Sequence, residues 1–407
     1  MMPKLSDRRF LYTVLTIILA IITFMLTFTQ KIGIIERLSQ SQGFCWANNC
    51  KNLAAVGSSS FYLSNQSNTL EIVPAKPEPL LESCDDFQAY VDIHGYSFSV
   101  CHGRLGNQIG VMALGLAVYL QFGIKLVLLP RQMSHLSKVF DAKQLCRNDG
   151  STFCLVLPKD DCALSASRVV TASNAQVWQK GVLAYGQSPE DLKGARVQLP
   201  HYPQYLQQLV HGYYAEFRSK MIFREDILSD AQKVYESLNE MNNCSRGTNC
   251  TAVYVHMRMG DYRGHMEALH RGPDVFSKTR YLQDAFNNVS KTYEKSVFYV
   301  IGYYNRDVEE FFRSHEKDFK QYQVVLVAAQ EKRILPKRKS VQGVDLALMA
   351  MCDVLIMSYG SYGDFGALLG RSKKQVLYPK LHKTHDESGV NLGGMPRFVP
   401  IPWKESA

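Results

Sequence analysis

Short aliphatic runs alternate with helical patterns through the second half of this 407-residue chain, and that alternation constrains the fold more than any other feature. Ala252 to Met257, Val297 to Ile301, Val324 to Val327 and Val354 to Met357 read as strands. Tyr281 to Val289, Asp307 to His315 and Val344 to Cys352 carry the spacing of helices between them. Strands that are apolar throughout belong to a parallel sheet covered on both faces, because its crossover helices lie on both sides. The first half opens the same way, with a strand at Tyr96 to Cys101, a helix at Asn107 to Phe122 and a strand at Lys125 to Leu129 closed by Pro130. The expectation is an α/β protein of two Rossmann-like lobes facing a cleft, over 84–235 and 236–407. The break is expected between Met221 and Cys250, where a polar helix gives way to MNNCSRGTNC.

Ahead of the lobes lies one uncharged apolar stretch, Phe10 to Phe28, long enough to cross a bilayer as a helix, which takes about 20 residues. Lys4, Arg8 and Arg9 precede it, which places residues 1–9 in the cytosol and the rest of the chain in the lumen. A cleaved signal peptide is the competing reading. The run is longer than the usual apolar core of such a peptide, and no small-x-small cleavage site follows, so a signal anchor at 10–28 is preferred. Residues 29–83 are rich in Ser, Asn and Pro (SQSQG, GSSS, SNQSN, AKPEPL) and read as a stem; the alternative is a small domain closed by Cys45 and Cys50. Asn65, Asn243, Asn249 and Asn288 each open an N-glycosylation acceptor pattern, and ten cysteines allow disulfides, as a secretory address requires. Cys244 and Cys250 are the middle residues of two of those patterns, so bridging there would compete with glycosylation. Cys352, inside an apolar run, reads as a core residue.

Ligands of α/β sheets bind beyond the carboxyl ends of the strands, which directs attention to three loops. Gly103-Arg104-Leu105-Gly106-Asn107-Gln108 follows the first strand, with glycines that allow close approach and N–H groups at the start of a helix. His256 lies on the strand ending at Met257, and Arg258-Met259-Gly260-Asp261-Tyr262 follows it. An Arg there can grip phosphate oxygens through its planar fork, or pair with Asp261 on the surface. Ser358-Tyr359-Gly360-Ser361-Tyr362-Gly363 follows the strand ending at Met357, supplying hydroxyls and N–H groups for an anion, or a plain capped helix.

At these loops the chain resembles the α-1,2-fucosyltransferase family, type II Golgi enzymes that move fucose from GDP-fucose to a galactose hydroxyl of glycans. GRLGNQ, HMRMGDY and DLALMAMCDVLIMSYGSYG are similar to three family motifs in the family's order, with SVFYVIGYYN and FVPIPW in support. The resemblance spans about Cys101 to Trp403 and implies a GT-B-like pair of lobes, an architecture shared with protein O-fucosyltransferases and α-1,6-fucosyltransferases. It implies that Arg258 binds the diphosphate, that His256 and Asp345 read guanine, and that Ser361, Tyr362 and Gly363 form the phosphate loop. Arg104, Gly106, Asn107 and Gln108 would form the opposite wall. Met259 stands where the family has a second Arg, Tyr362 where it has Phe, and Gly366 in place of another small residue. The loop from Gly264 to Asp274 and the basic loop Lys332 to Lys339 have no family counterpart.

A leaving diphosphate develops negative charge that the site must stabilise. The chain has no Asp-x-Asp triplet, so Arg258 and the Ser361 loop are expected to do this without metal or cofactor. Inverting displacement also wants a base, for which Asp261, Glu267, His265 and His270 are in range and Asp261 is adopted. His382-Lys383-Thr384-His385-Asp386 reads as solvated surface rather than a metal site. The expected partners are GDP-fucose, a glycan acceptor and, through one helix, the Golgi membrane. The alternatives are a catalytically inactive sugar-nucleotide or glycan-binding protein, for which Met259 is the motive, and a fucosyltransferase of different linkage. The net charge of +9 is dispersed, which argues against nucleic acid. Seven cations oppose five anions through Ser83, so +7 of it falls on the α/β body.

Overall fold

In the computed structural model, the described residues are 80–99, 103–149, 151–171, 192–199, 213–245, 248–259, 280–302, 305–336, 340–358, 360–370, 375–380 and 397–402. All lie in one compact unit, Lys76–Ala407. The apolar stretch Phe10 to Phe28 and the stem to residue 79 are outside the described residues, among which no helix is long and apolar enough to cross a membrane.

The first sheet is parallel and built from strands of three or four residues: β1 (Tyr96–Phe98), β2 (Leu126–Leu128), β3 (Cys154–Val156), β4 (Arg168–Thr171) and β5 (Ala195–Gln198). Their order is β3-β2-β1-β5-β4. Helix α1 (Cys84–His94), capped by Ser83, covers one face through Phe87 and Val91. Helix α2 (Leu105–Phe122) covers the other and is apolar almost all round, as a helix buried on several sides must be. Gly115 lets it approach β2, since a Cβ there would stand 2.6 Å from Leu126 Cδ2. Two short helices, α3 (Pro130–Leu136) and α4 (Ala142–Leu145), complete this half.

The chain then passes through α5 (Tyr214–Lys220) into α6 (Glu225–Met241). The lobe boundary expected at 235/236 falls inside α6, which is continuous and packs on helices of the second sheet. The polar MNNCSRGTNC, read as the break, contains a turn closed by the Cys244–Cys250 disulfide ahead of β6 (Cys250–Met257).

The second sheet continues through α7 (Tyr281–Thr292), β7 (Lys295–Gly302), α8 (Asn305–Ser314), α9 (Glu316–Phe319), β8 (Gln323–Leu326), α10 (Val327–Ile334), α11 (Val341–Met351), β9 (Val354–Met357), α12 (Ser361–Leu368), β10 (Gln375–Lys380) and β11 (Arg397–Pro402). It too is parallel, in the order β11-β10-β9-β6-β7-β8, the doubly wound arrangement. Alternate residues of β6 divide between two apolar clusters. Ala252 and Tyr254 join the cluster with α6, α11 and α12, whereas Val253, Val255 and Met257 join the one with Tyr281, Phe286 and Phe311 from α7 and α8. Two further disulfides, Cys84–Cys162 and Cys146–Cys154, staple the first half. Cys352 is buried and its thiol donates to Met349 O.

Candidate active site

Strand order reverses between β6 and β9: β7 and β8 lie on one side, β10 and β11 on the other. Crossovers leave in opposite directions at such a point and open a crevice beyond the strand ends. A cavity of about 250 Å³ occupies it, lined from the second sheet by His256 and Met257 at the end of β6 and Arg258 just after it, Ile301 and Gly302 at the end of β7, Gln342 and Asp345 on α11, and Ser361 and Tyr362 on α12. The first sheet contributes Gly103 to Asn107, the loop and first turn of α2.

The period of the strand decides which side chains face this cavity. His256 falls on the face of Ala252 and Tyr254, and Arg258 continues that face past the strand end. Met259 continues the other face and is buried at 1% exposure in the apolar cluster with Tyr281 and Leu282. The residue that departs from the family's second Arg therefore points into the core, not into the cavity.

Ser358 ties these residues together. The Arg258 N–H donates to Ser358 Oγ at 3.0 Å, Ser358 Oγ lies 3.2 Å from His256 Nδ1, and the Ser358 N–H donates to His256 O at 3.1 Å. Burial first, and the Arg258 charge second, lower the His256 pKa to about 3, so the ring is neutral at physiological pH. Gly363 packs on it: a Cβ there would stand 2.8 Å from His256 Nδ1. The Tyr362 ring lies 5.7 Å from the imidazole, and its hydroxyl donates to Gln342 O. Burial, with the charges of Asp345 and Glu331, raises the Tyr362 pKa well above the usual phenol value and keeps it protonated.

The two sheets meet at the starts of α2 and α12. Ser361 Oγ donates to Asn107 Oδ1 at 2.7 Å, and Gly106 lies so close that a Cβ would stand 2.6 Å from Tyr362 N. Neither helix start has a side-chain cap. The first N–H groups of a helix have no partner within it, and two such ends beside Arg258 are suited to seat an anion.

Of the residues singled out by sequence, Arg104, Gly106, Asn107, His256, Arg258, Asp345, Ser361 and Tyr362 line one cavity. Gln108 is buried and donates to Gly103 O, clasping the loop rather than lining the cavity. Gly363 acts through its contact with His256. Asp261, His265, Glu267, His270 and the stretch from His382 to Asp386 are outside the described residues, as is Asn65. Asn243 and Asn249 are exposed on the disulfide-closed turn, and Asn288 is half-buried within α7. The sequence reading missed Gly302 and Gln342, and it took Ser358 for an anion-binding hydroxyl where the structure bonds it to Arg258 N and His256. Gly302 could have been found by applying the strand-end rule to β7 as it was applied to β6 and β9.

Among curated proteins compared by sequence, none matches. In shape the chain is similar to the fucosyltransferase NodZ from Bradyrhizobium, at 11% identity and a TM-score of 0.39, over 68% of this chain and 93% of that one. It is similar as well to POFUT1 in complex with GDP-fucose, at 11% identity and a TM-score of 0.42, over 77% of this chain and 98% of that one. At that level of similarity the fold rests on its own strand order. The sequence itself matches one family model over residues 184–385, a span that holds the second sheet's share of the cavity, including His256, Arg258, Asp345 and Ser361. That model is glycosyl transferase family 11, which the chain resembles over those residues.

Proposed function

We propose that this chain transfers L-fucose from GDP-fucose to the 2-hydroxyl of a galactose on a glycoprotein or glycolipid glycan, by inverting displacement without metal, in a GT-B-like pair of lobes. The observation that carries the reading is the convergence of Arg258 with the starts of α2 and α12 on one cavity at the reversal of strand order. The acceptor oxygen attacks C1 of fucose as the bond from C1 to the phosphate oxygen breaks. GDP departs with the electron pair, and the acceptor proton passes to a base. Arg258 and the helix N–H groups stabilise the diphosphate as its charge grows. His256 offers a ring N–H, and Asp345 a carboxylate for donors of the base. Asp261, three residues beyond Arg258, is the candidate base.

The glycosyl transferase family 11 match and the resemblance of GRLGNQ, HMRMGDY and the Ser361 loop to α-1,2-fucosyltransferases support the donor and the linkage. The inward packing of Met259 supports an active enzyme over an inactive binding protein, since the substitution removes no side chain from the cavity. Three disulfides fit an oxidising compartment, and with the cation-flanked stretch Phe10 to Phe28 they support a single-pass Golgi membrane protein with its α/β body in the lumen.

The test incubates the purified chain with GDP-fucose and a panel of glycans, following GDP release and product linkage. Fucosylated galactose with the 2-linkage is expected. Silence with GDP-fucose across the panel, alongside turnover of another sugar nucleotide, would overturn the assignment.

A further inference from the structure

Ser358 does not line the cavity, yet it touches two residues that do. It is buried at 1% exposure, so every polar atom it carries needs a partner inside the protein. Its Oγ accepts from Arg258 N–H at 3.0 Å, and its remaining contact is His256 Nδ1 at 3.2 Å. Two proton arrangements fit those distances. Either Nδ1 carries the ring proton and donates to Oγ, or Oγ donates to a bare Nδ1. In the first, the Ser358 hydroxyl proton is buried with no acceptor among the described residues, at a cost of about 1–3 kcal/mol. In the second, every group is satisfied.

We propose that Ser358 is a positioning residue that fixes His256 as the tautomer protonated on Nε2, so that the ring presents a single donor to an acceptor oxygen or nitrogen of the bound nucleotide. Other contacts confine the ring to this role. The Ser358 N–H holds the His256 carbonyl at 3.1 Å, and Gly363 closes off the Nδ1 edge, where a Cβ would stand 2.8 Å away. Two charged groups line the cavity with the ring, Arg258 beyond the same strand and Asp345 on α11. Burial and Arg258 keep the imidazole neutral, so it does not become a two-donor cation.

The functional half of this proposal rests on reading the cavity as a nucleotide seat, and the ring proton can be read apart from it. Nitrogen-15 spectra of the full chain, with His256→Gln assigning the resonance among eleven histidines, report which ring nitrogen carries the proton. The expected result is a protonated Nε2 and a hydrogen-bonded, unprotonated Nδ1 from pH 5 to 8. In Ser358→Ala the Nδ1 signature of a hydrogen bond disappears, and GDP binding by calorimetry weakens about tenfold. Ser358→Thr, which keeps the hydroxyl, retains both. In the His256→Gln background Ser358→Ala has no further effect on GDP affinity, because the group it positions is gone. A proton on Nδ1 in the wild-type protein overturns the proposal without any variant, and so does an equal effect of Ser358→Ala in both backgrounds. A wild-type chain that binds no GDP overturns the nucleotide seat and the functional half with it, while the ring spectrum still decides the tautomer.

Discussion

The two sheets reach the cavity by different means. The second brings two strand ends and two helices, and β6 and β7, at eight residues each, are long enough to anchor His256, Arg258 and Gly302 between two apolar layers. The first has strands of three or four residues and brings one loop and one helix start, held by the close approach of Gly106 and the bond from Ser361 to Asn107. The second sheet therefore carries the charge chemistry on a rigid frame. The first supplies a wall whose position depends on how α2 packs against α12. Charge and wall should fail in distinguishable ways.

The largest effect is expected on the charge side. Arg258→Ala removes a planar cation beside two helix starts and should weaken GDP binding by at least about 100-fold, with the melting temperature unchanged. Arg258→Lys keeps the charge but not the paired donors and should lose roughly tenfold. Calorimetry with GDP checks both. Unchanged affinity in Arg258→Ala would return the residue to a surface ion pair and move the anion seat to the helix ends.

Gly106→Ala addresses the wall. The added Cβ would meet Tyr362 N at 2.6 Å and Ser361 Oγ at 2.7 Å, and main chain cannot swing aside as a flexible side chain does. The two helix starts must part, at a cost of about 2–3 kcal/mol, or a fall of about 5 °C in melting temperature. Stability and GDP affinity should fall together, unlike Arg258→Ala, where only affinity falls. A Gly106→Ala protein with wild-type melting would show that the halves are held together elsewhere.

How much of this was legible follows the same division. Four of the second sheet's six strands were readable as aliphatic runs; Val354–Met357, buried throughout, was placed to the residue, whereas β10 was missed. The facing of Arg258 and Met259 was also there to be read, as the alternation of β6 extended by two residues. Of the first sheet only β1 and β2 were found. Strands as short as Cys154–Val156 show no period, and their burial comes from neighbours remote in sequence. Strand β11, with Pro400 and Pro402, was noticed only as a motif; as an edge strand it tolerates prolines that a central one would not. Ser358 and Gln342 act through partners distant in the chain, the Ser358 bond to Arg258 closing over 100 residues, and no local spacing announces them. Of the disulfides only Cys84–Cys162, which closes over 78 residues, was illegible for that reason; Cys146–Cys154 and Cys244–Cys250 close over eight and six.

Asp364 gives the smallest and most specific test of the seam. It sits in the first turn of α12, where the helix dipole favours a carboxylate, yet burial wins and raises its pKa to about 7. Its Oδ1 is buried with no hydrogen-bond partner among the described residues. Because the folded pKa lies above the unfolded value of 3.8, the folded protein holds more protons between those values, and stability must fall as pH rises from about 4 to 7 and then level off. Asp364→Asn removes that titration. The variant should gain on the wild type as pH rises through this window, by on the order of 1–2 kcal/mol once the carboxyl's partial exposure is allowed for. Melting temperatures of the two proteins at pH 5 and pH 8 read the difference. A gap that is the same at both pH values would mean that the carboxyl is solvated and that α12 meets its neighbours less tightly at this turn than at Gly106. A gap that opens with pH would show that the first turn of α12 holds its carboxyl away from water.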